Sequence, residues 1–250
     1  MIMAINDYFK MRCVKNGLDL ATPIYKYIPL KHVVTMLKTN KLYVGKVKKW
    51  EDTYENFLLK QDFMYNGMHI SAKNLIDQVY GQCWTTVSES DAMWRIYSNS
   101  KKINDVAIRV KTTAQKLFDS IYTSDECMAT TSIGSVEYYY KNEILKWIKG
   151  LNMHTAQDIG ENIVPSLYKK RKPFSHEKEV RIIVMHDQDK GDGLYYDITP
   201  STLLDDFVID PRLDTDSVNK IAKRLINLGV NVNKIKQSLL YTFTPTIIKL

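Results

Sequence analysis

FSHEKEVRIIVMHDQDKGDGLYYDI, residues 174–198, is the stretch on which the fold turns. Its apolar run Val180–Met185 is rich in β-branched residues and reads as a buried strand. Leu194–Ile198 reads as a second strand. The connection Asp187–Gly193 holds three aspartates and two glycines, which predicts a β-hairpin. A hairpin pairs strands antiparallel, so this stretch points away from a regular series of parallel βαβ units.

The flanking sequence agrees. Asp105–Lys111 (DVAIRVK) alternates, with Val106, Ile108 and Val110 on one face and Ala107 and Arg109 on the other. Pro23–Tyr27, Leu42–Val47, Gly81–Thr86 and Phe207–Ile209 also read as strands. Pro29 suits the first turn of a helix carrying Leu30, Val33, Val34 and Leu37, with Asn40 near its end. Trp50–Glu55 reads as a loop leading into another helix, and Ser71 as the cap of a helix bearing Leu75, Ile76 and Val79. Ser88 or Ser90 opens a short helix at Asp91–Tyr97. Further helices carry Leu117, Phe118 and Ile121, and then span roughly Tyr138–Tyr168 with a gap near Gly150–Thr155. Asp214–Ser217 precedes a helix with Val218, Ile221, Leu225 and Leu228, closed by Gly229. The chain start reads as helical and the tail Leu239–Ile248 as strand. Together these elements predict the α+β class: a single domain over residues 1–250, with a mixed, mostly antiparallel sheet flanked by helices. No linker, repeat or low-complexity segment divides it.

With 250 residues, 44% hydrophobic and 25% charged, the chain has the composition of a globular protein with a sizeable core. Its formal charge of +7 is local. Residues 1–60 hold 11 Lys+Arg and 5 Asp+Glu, so +6; the remaining 24 basic and 23 acidic residues leave only +1. A second basic run stands at Lys169-Lys170-Arg171-Lys172. Local basic surface attracts phosphates, whether of nucleic acid or of a nucleotide, and it equally describes a well-hydrated surface. No apolar stretch reaches the length of a membrane span, and Asp7 and Lys10 interrupt the region where a signal peptide is uniformly apolar. Cys13, Cys83 and Cys127 are widely spaced and odd in number, which excludes a disulfide framework or a CxxC zinc site. The expectation is a cytoplasmic protein with no membrane partner; oligomeric state leaves no signal.

Several chemistries are missing. No G-x-x-x-x-G-K-[ST] loop occurs and no G-x-G-x-x-G follows a strand, which disfavours Walker-type NTPases and ordinary dinucleotide folds. His176-Glu177 begins like H-E-x-x-H, but Val180 stands where the second histidine belongs. There is no G-x-S-x-G elbow.

Four segments crowd polar and aromatic groups together: Tyr25-Lys26-Tyr27, Trp50–Asn56, Met93–Tyr97 entered through Cys83-Trp84-Thr85, and Phe174–Arg181. At a period of two, Glu177, Glu179 and Arg181 share one strand face, with Lys178 and Val180 on the other. Two carboxylates and a guanidinium so placed form either a structural salt bridge or a catalytic carboxylate held by arginine. Trp94 and Tyr97, three apart on a helix, are either core aromatics or a stacking surface for a planar ring. Lys26 either faces solvent or meets a phosphate.

In this order and spacing the four segments resemble the prokaryotic family catalogued as domain of unknown function 2971, over roughly residues 23–210. Tyr25-Lys26-Tyr27 matches its Tyr-Lys/Arg-Tyr strand. Glu51-Asp52-Thr53-Tyr54-Glu55 matches its Asn-Asp-Pro-Phe-Glu loop more loosely, with Thr53 and Tyr54 for Pro-Phe. Cys83-Trp84-Thr85 and Met93-Trp94-Arg95-Ile96-Tyr97 match a Cys-Phe-Ser strand and a Met-Trp-x-x-Tyr helix. Phe174 to Arg181 matches Trp-x-x-Glu-x-Glu-x-Arg, with Phe for Trp. After Tyr97, the family's Gly-containing stretch is replaced by Lys101-Lys102-Ile103-Asn104.

The layout is in turn similar to ADP-ribosyltransferase folds, with an early polar-aromatic strand and a late Glu-x-Glu, and relatives often lie among bacterial defence genes. The resemblance implies an NAD-cleaving transferase, a toxin-like or anti-phage effector, acting on a nucleic-acid or protein acceptor. It implies Glu179 as the catalytic carboxylate, Glu177 as its partner and Arg181 as its orienting group. Tyr25, Lys26, Tyr27, Trp94, Arg95 and Tyr97 would bind NAD, the substrate nucleotide, and no metal would be needed. The basic first third would face phosphates of NAD, of DNA or RNA, or of both. Two alternatives stay open: a nucleic-acid binder or nuclease gathering Asp52, Glu55, Glu177 and Glu179 around Mg²⁺, and a non-catalytic regulatory domain.

Overall fold

The computed structural model describes residues 12–65, 68–122, 131–151, 155–243 and 245. The expected helical start, Cys127, Thr244 and residues 246–248 of the expected tail strand lie outside them. The class is α+β as read: mixed, mostly antiparallel sheet flanked by helices. The chain groups into two compact units that it visits alternately.

The first unit comprises residues up to Ile24, Leu42–Thr86 and Thr113–Asp197. Its centre is the Glu179–Met185 strand, bonded antiparallel to Val79–Thr85 on one edge and to Thr131–Ser135 on the other. Six of its seven residues are buried, as a strand covered on both faces requires. Val14–Lys15 extends the sheet in parallel beyond Thr131–Ser135. Lys41–Lys46 extends it antiparallel beyond Val79–Thr85. Gly193–Asp197 pairs with Lys41–Lys46, so the hairpin expected within residues 174–198 does not form. Both edges of Glu179–Met185 are already bonded, leaving the next strand only the outer edge. One core joins Val47, Leu59, Val79 and Ile183 to Ile163, Leu167 and Tyr168, which lie in and just after the Ala156–Ser166 helix. Helices Lys141–Lys149 and Ala156–Ser166 fall within the expected 138–168 region.

Two other expectations in this unit are corrected. Beyond Trp50–Glu55 the chain makes a 3₁₀ turn at Leu58–Lys60 and a hairpin, Asp62–Tyr65 with Met68–Ser71, where a helix was expected. Phe57, Leu58 and Leu59 are consecutive and all buried, which no single helical face can achieve. After Ser71 a 3₁₀ segment, Ala72–Gln78, replaces the expected helix, because Val79 is drawn into the ladder opposite Met185.

The second unit comprises Tyr25–Lys41, Val87–Thr112 and residues from Ile198 onward. Strands Pro23–Pro29, Ala107–Thr113, Asp206–Ile209 and Ile235–Gln237 lie side by side in that order. The Leu30–Thr39 helix buries Leu30, Val33, Val34 and Met36 and ends at Asn40 in the left-handed conformation. Asp91–Tyr97 forms as expected after Ser90. The Thr215–Asn227 helix starts at Asp214, whose carboxylate accepts from Ser217 N at 2.8 Å, and buries Ile221 and Leu225. Its chain reverses through Gly229 at φ +88°, a value that glycine adopts without strain. Leu239–Phe243 is not strand; the ladder ends at Gln237.

Candidate functional site

The Phe174–Arg181 stretch is not uniformly extended. Lys172–Glu177 is a 3₁₀ turn, Lys178 takes the left-handed conformation at φ +41°, and the strand begins at Glu179. Thr85 Oγ1 donates to the Glu177 carbonyl at 2.5 Å, Thr86 N to the Lys178 carbonyl at 3.0 Å, and Glu179 N to the Tyr138 hydroxyl at 2.8 Å. These bonds hold the kink. Glu177 and Glu179 still converge on Lys170, which comes from the short Lys169–Arg171 strand paired in parallel with Glu137–Tyr139.

Lys170 Nζ lies 2.6 Å from Glu177, 2.8 Å from Glu179 and 2.9 Å from Glu55. Arg181 Nε lies 2.7 Å from the other Glu179 oxygen, its terminal nitrogens reach Glu55 and the Leu167 carbonyl at 2.6 Å, and Trp50 covers its plane at 4.4 Å. Arg181 is 0% exposed, and Glu55, Glu177, Glu179 and Lys170 are all buried. Three carboxylates therefore face two cations away from water. Within the cluster the surroundings of Glu177 favour its protonated form and those of Glu179 its ionised form. Burial, then the hydrogen bond with Glu179, pushes the Glu177 carboxyl up to about 7. Burial alone would raise Glu179 too, but the Arg181 charge, the Glu177 hydrogen bond and Lys170 outweigh it and hold it well below the usual carboxylate range. The result is an ionised carboxylate beside a proton-bearing one, the arrangement in which one group stabilises positive charge while its neighbour exchanges a proton.

The alternative Mg²⁺ set is placed differently. Glu55, Glu177 and Glu179 surround Lys170 and Arg181, and Asp52 pairs with Arg171 at 2.8 Å. Among the described residues no cluster of His, Cys, Asp or Glu is arranged to hold a metal ion.

The second unit holds the six residues expected to bind a nucleotide. Tyr25 and Tyr27 share a strand face, and Lys26 points to the opposite one. The Tyr27 ring meets Trp94 edge-on at 4.7 Å and stacks with Tyr97 at 6.4 Å. Trp94 is fully buried, with Nε1 donating to Glu89 at 3.1 Å. Its ring is core, whereas Tyr97 is 41% exposed. Arg95 is exposed and pairs with Asp91 one turn earlier at 2.9 Å. Arg109 sits 5.0 Å over the Tyr25 ring, donates to the Ser88 carbonyl and lies 3.5 Å from Asp206.

Sequence reading missed Lys170 and Arg109 as site groups. Arg109 had a signal, a guanidinium inside an apolar strand. Lys170 was read as part of a basic surface run, yet Lys169 pairs with Glu137 at 2.9 Å, Lys170 with three glutamates and Arg171 with Asp52. The early lysines are matched likewise: Lys46 with Asp77 and Asp189, Lys48 with Asp77, Lys49 with Asp192 and Lys31 with Asp105. No helix among the described residues is long and apolar enough to cross a membrane.

No protein-family model and no curated protein matches the chain, so the motif resemblance rests on the residues that carry it. Among solved structures, the chain is similar to Thermus sp. 2.9 DarT in complex with NAD⁺, at 10% identity and TM-score 0.39, over 85% of this chain and 92% of that one. The same protein in complex with ADP-ribosylated ssDNA gives 10% identity and TM-score 0.38, over 86% and 92%. In complex with carba-NAD⁺ it gives 10% identity and TM-score 0.37, over 85% and 92%.

Proposed function

We propose that this chain cleaves NAD at the nicotinamide–ribose bond and transfers ADP-ribose to an acceptor. The observation that carries the reading is the buried Glu177–Glu179 pair, joined through Lys170 Nζ at 2.6 and 2.8 Å, whose surroundings raise the Glu177 carboxyl and lower that of Glu179. Breaking the glycosidic bond sends its electron pair to the nicotinamide ring nitrogen and leaves an oxocarbenium-like ribose. The Glu179 carboxylate stabilises that positive charge, and Glu177 hydrogen-bonds a ribose hydroxyl. The acceptor then bonds to the ribose carbon and loses a proton. Lys170 and Arg181 are positioning residues that fix the Glu179 carboxylate.

The test is nicotinamide release from NAD, measured with nucleic-acid and protein acceptors. Glu179→Gln removes the charge with little change in shape and is expected to abolish release in a chain that still unfolds cooperatively, although Lys170 and Arg181 each lose an anionic partner and stability falls. Release that persists in the variant, or never occurs in the parent chain, overturns the reading.

A second reading has its own observation. Both Glu179 oxygens already accept from cations, and Arg181 is wholly buried, as in a network that only holds strands in place. It predicts that Glu179→Gln lowers stability and leaves no activity to lose.

A further inference from the structure

A groove of about 630 Å³ opens on the second unit, between Pro29, the end of the Asp91–Tyr97 helix and the loop from Ser98 to Asp105. Its lining carries three cations, Lys31, Arg95 and Lys101, against one carboxylate, Asp105. Tyr97 and Ile96 add aromatic and aliphatic surface that is 41% and 56% exposed. The loop is preformed. Ser98 Oγ donates to Asp210 at 2.5 Å and accepts from Ala107 N at 2.9 Å. Arg212 caps the Trp94 and Ser98 carbonyls at 2.9 and 3.2 Å, and Asn99 Oδ1 accepts from Lys101 N at 3.2 Å. This is also where Lys101-Lys102 replaces the glycine-containing stretch of the resembled motif.

Two of the cations have carboxylate partners that are easily exchanged. Lys31–Asp105 and Arg95–Asp91 are largely exposed pairs that water and salt screen, so a phosphate displaces either carboxylate at small cost. A groove lined by three cations and an exposed ring suits a phosphodiester backbone whose bases are free to stack. A duplex keeps its bases stacked on one another and gives Tyr97 nothing to hold.

We propose that this groove binds single-stranded nucleic acid, with phosphates at Lys31, Arg95 and Lys101 and a base against Tyr97. The use of that strand as an acceptor rests on the proposed function; the binding does not. Arg95 and Tyr97 then serve the acceptor, and the lysines near Asp77, Asp189 and Asp192 do not.

The experiment is fluorescence anisotropy of the full chain, without NAD, with labelled DNA and RNA single strands of about 12 nucleotides and a matched duplex. Lys31→Glu with Lys101→Glu is expected to weaken strand binding at least about tenfold and to lower the slope of log K against log salt by about 2. Tyr97→Ala is expected to cost about tenfold and Tyr97→Phe very little, which separates stacking from misfolding. Lys48→Glu with Lys49→Glu is expected to change affinity less than about threefold. Equal binding of duplex, equal competition by poly-glutamate, an equal loss in the Lys48/Lys49 variant, or no saturable strand binding overturns the proposal. Failure of nicotinamide release leaves these readings standing, and their failure leaves the catalytic test standing.

Discussion

Glu179 and Lys170, nine residues apart in sequence, meet at 2.8 Å inside the first unit. Arg181 takes the second Glu179 oxygen and also holds Glu55, so removing it leaves two buried carboxylates to share the single Lys170 charge. Arg181→Met is expected to lower stability by about 3–5 kcal/mol, the range for breaking a buried pair from one side. Urea denaturation of both chains measures it. A loss below about 1 kcal/mol would mean that water reaches the cluster and that the network is not closed.

The Glu177 proton makes stability depend on pH in a defined direction. Glu177 titrates near 4.5 when unfolded and is pushed up to about 7 when folded, so the folded chain holds a proton that the unfolded chain has released. Its contribution is full below about pH 4.5 and is lost as pH rises through about 7. Glu179 runs the other way: it contributes above its ordinary range and loses that contribution only in acid. Of these two groups only Glu177 changes its contribution between about pH 5 and pH 8, and that contribution falls as pH rises. Glu177→Gln, which keeps a hydrogen-bond donor without a titrating proton, is expected to flatten that fall. An unchanged slope in the variant places the proton elsewhere.

Lys178 carries the backbone from the 3₁₀ turn into the strand at φ +41°, a conformation that costs a side chain about 1–2 kcal/mol. A β-branched residue fits it worst. Lys178→Gly is expected to be neutral or stabilising, and Lys178→Val to lose about 1–2 kcal/mol beyond any effect of charge. Lys178→Ala is the reference in the same thermal or urea series. If Val matches Ala, the kink relaxes without cost and does not hold the glutamates in place.

Elements set by local pattern were legible in the sequence. Leu30, Val33 and Val34 announced their helix and Val180–Met185 its strand, because residue spacing acts within a few residues; Ser90 opens the Asp91–Tyr97 helix without a capping hydrogen bond from its side chain. The partners of the cluster were not. Arg181 and Glu55 lie 126 residues apart and Arg171 and Asp52 lie 119 apart, so no window on the chain holds both members of either pair. Charge density in Lys169–Lys172 therefore read as surface, although three of those four side chains turn toward acids. Glu177 and Glu179 were singled out on strand alternation. They do meet, but through Lys170 and across a left-handed residue, which alternation does not anticipate.

Gly81 ties that cluster to the sheet beneath it. A Cβ there would stand 2.8 Å from the Trp50 ring, 3.0 Å from Ile183 and 3.2 Å from Val47, and the Trp50 ring is the one that covers Arg181. Gly81→Ala must therefore move the indole or the strand. The expected cost is about 1–3 kcal/mol, the usual penalty for overpacking. Trp50→Leu removes the obstructing ring. In that background Gly81→Ala is expected to cost less, with a coupling of about 1 kcal/mol between the two sites in a double-mutant cycle. Additive losses would show that the strand yields and the ring does not. In that case Trp50 would cover Arg181 without depending on the missing side chain at position 81.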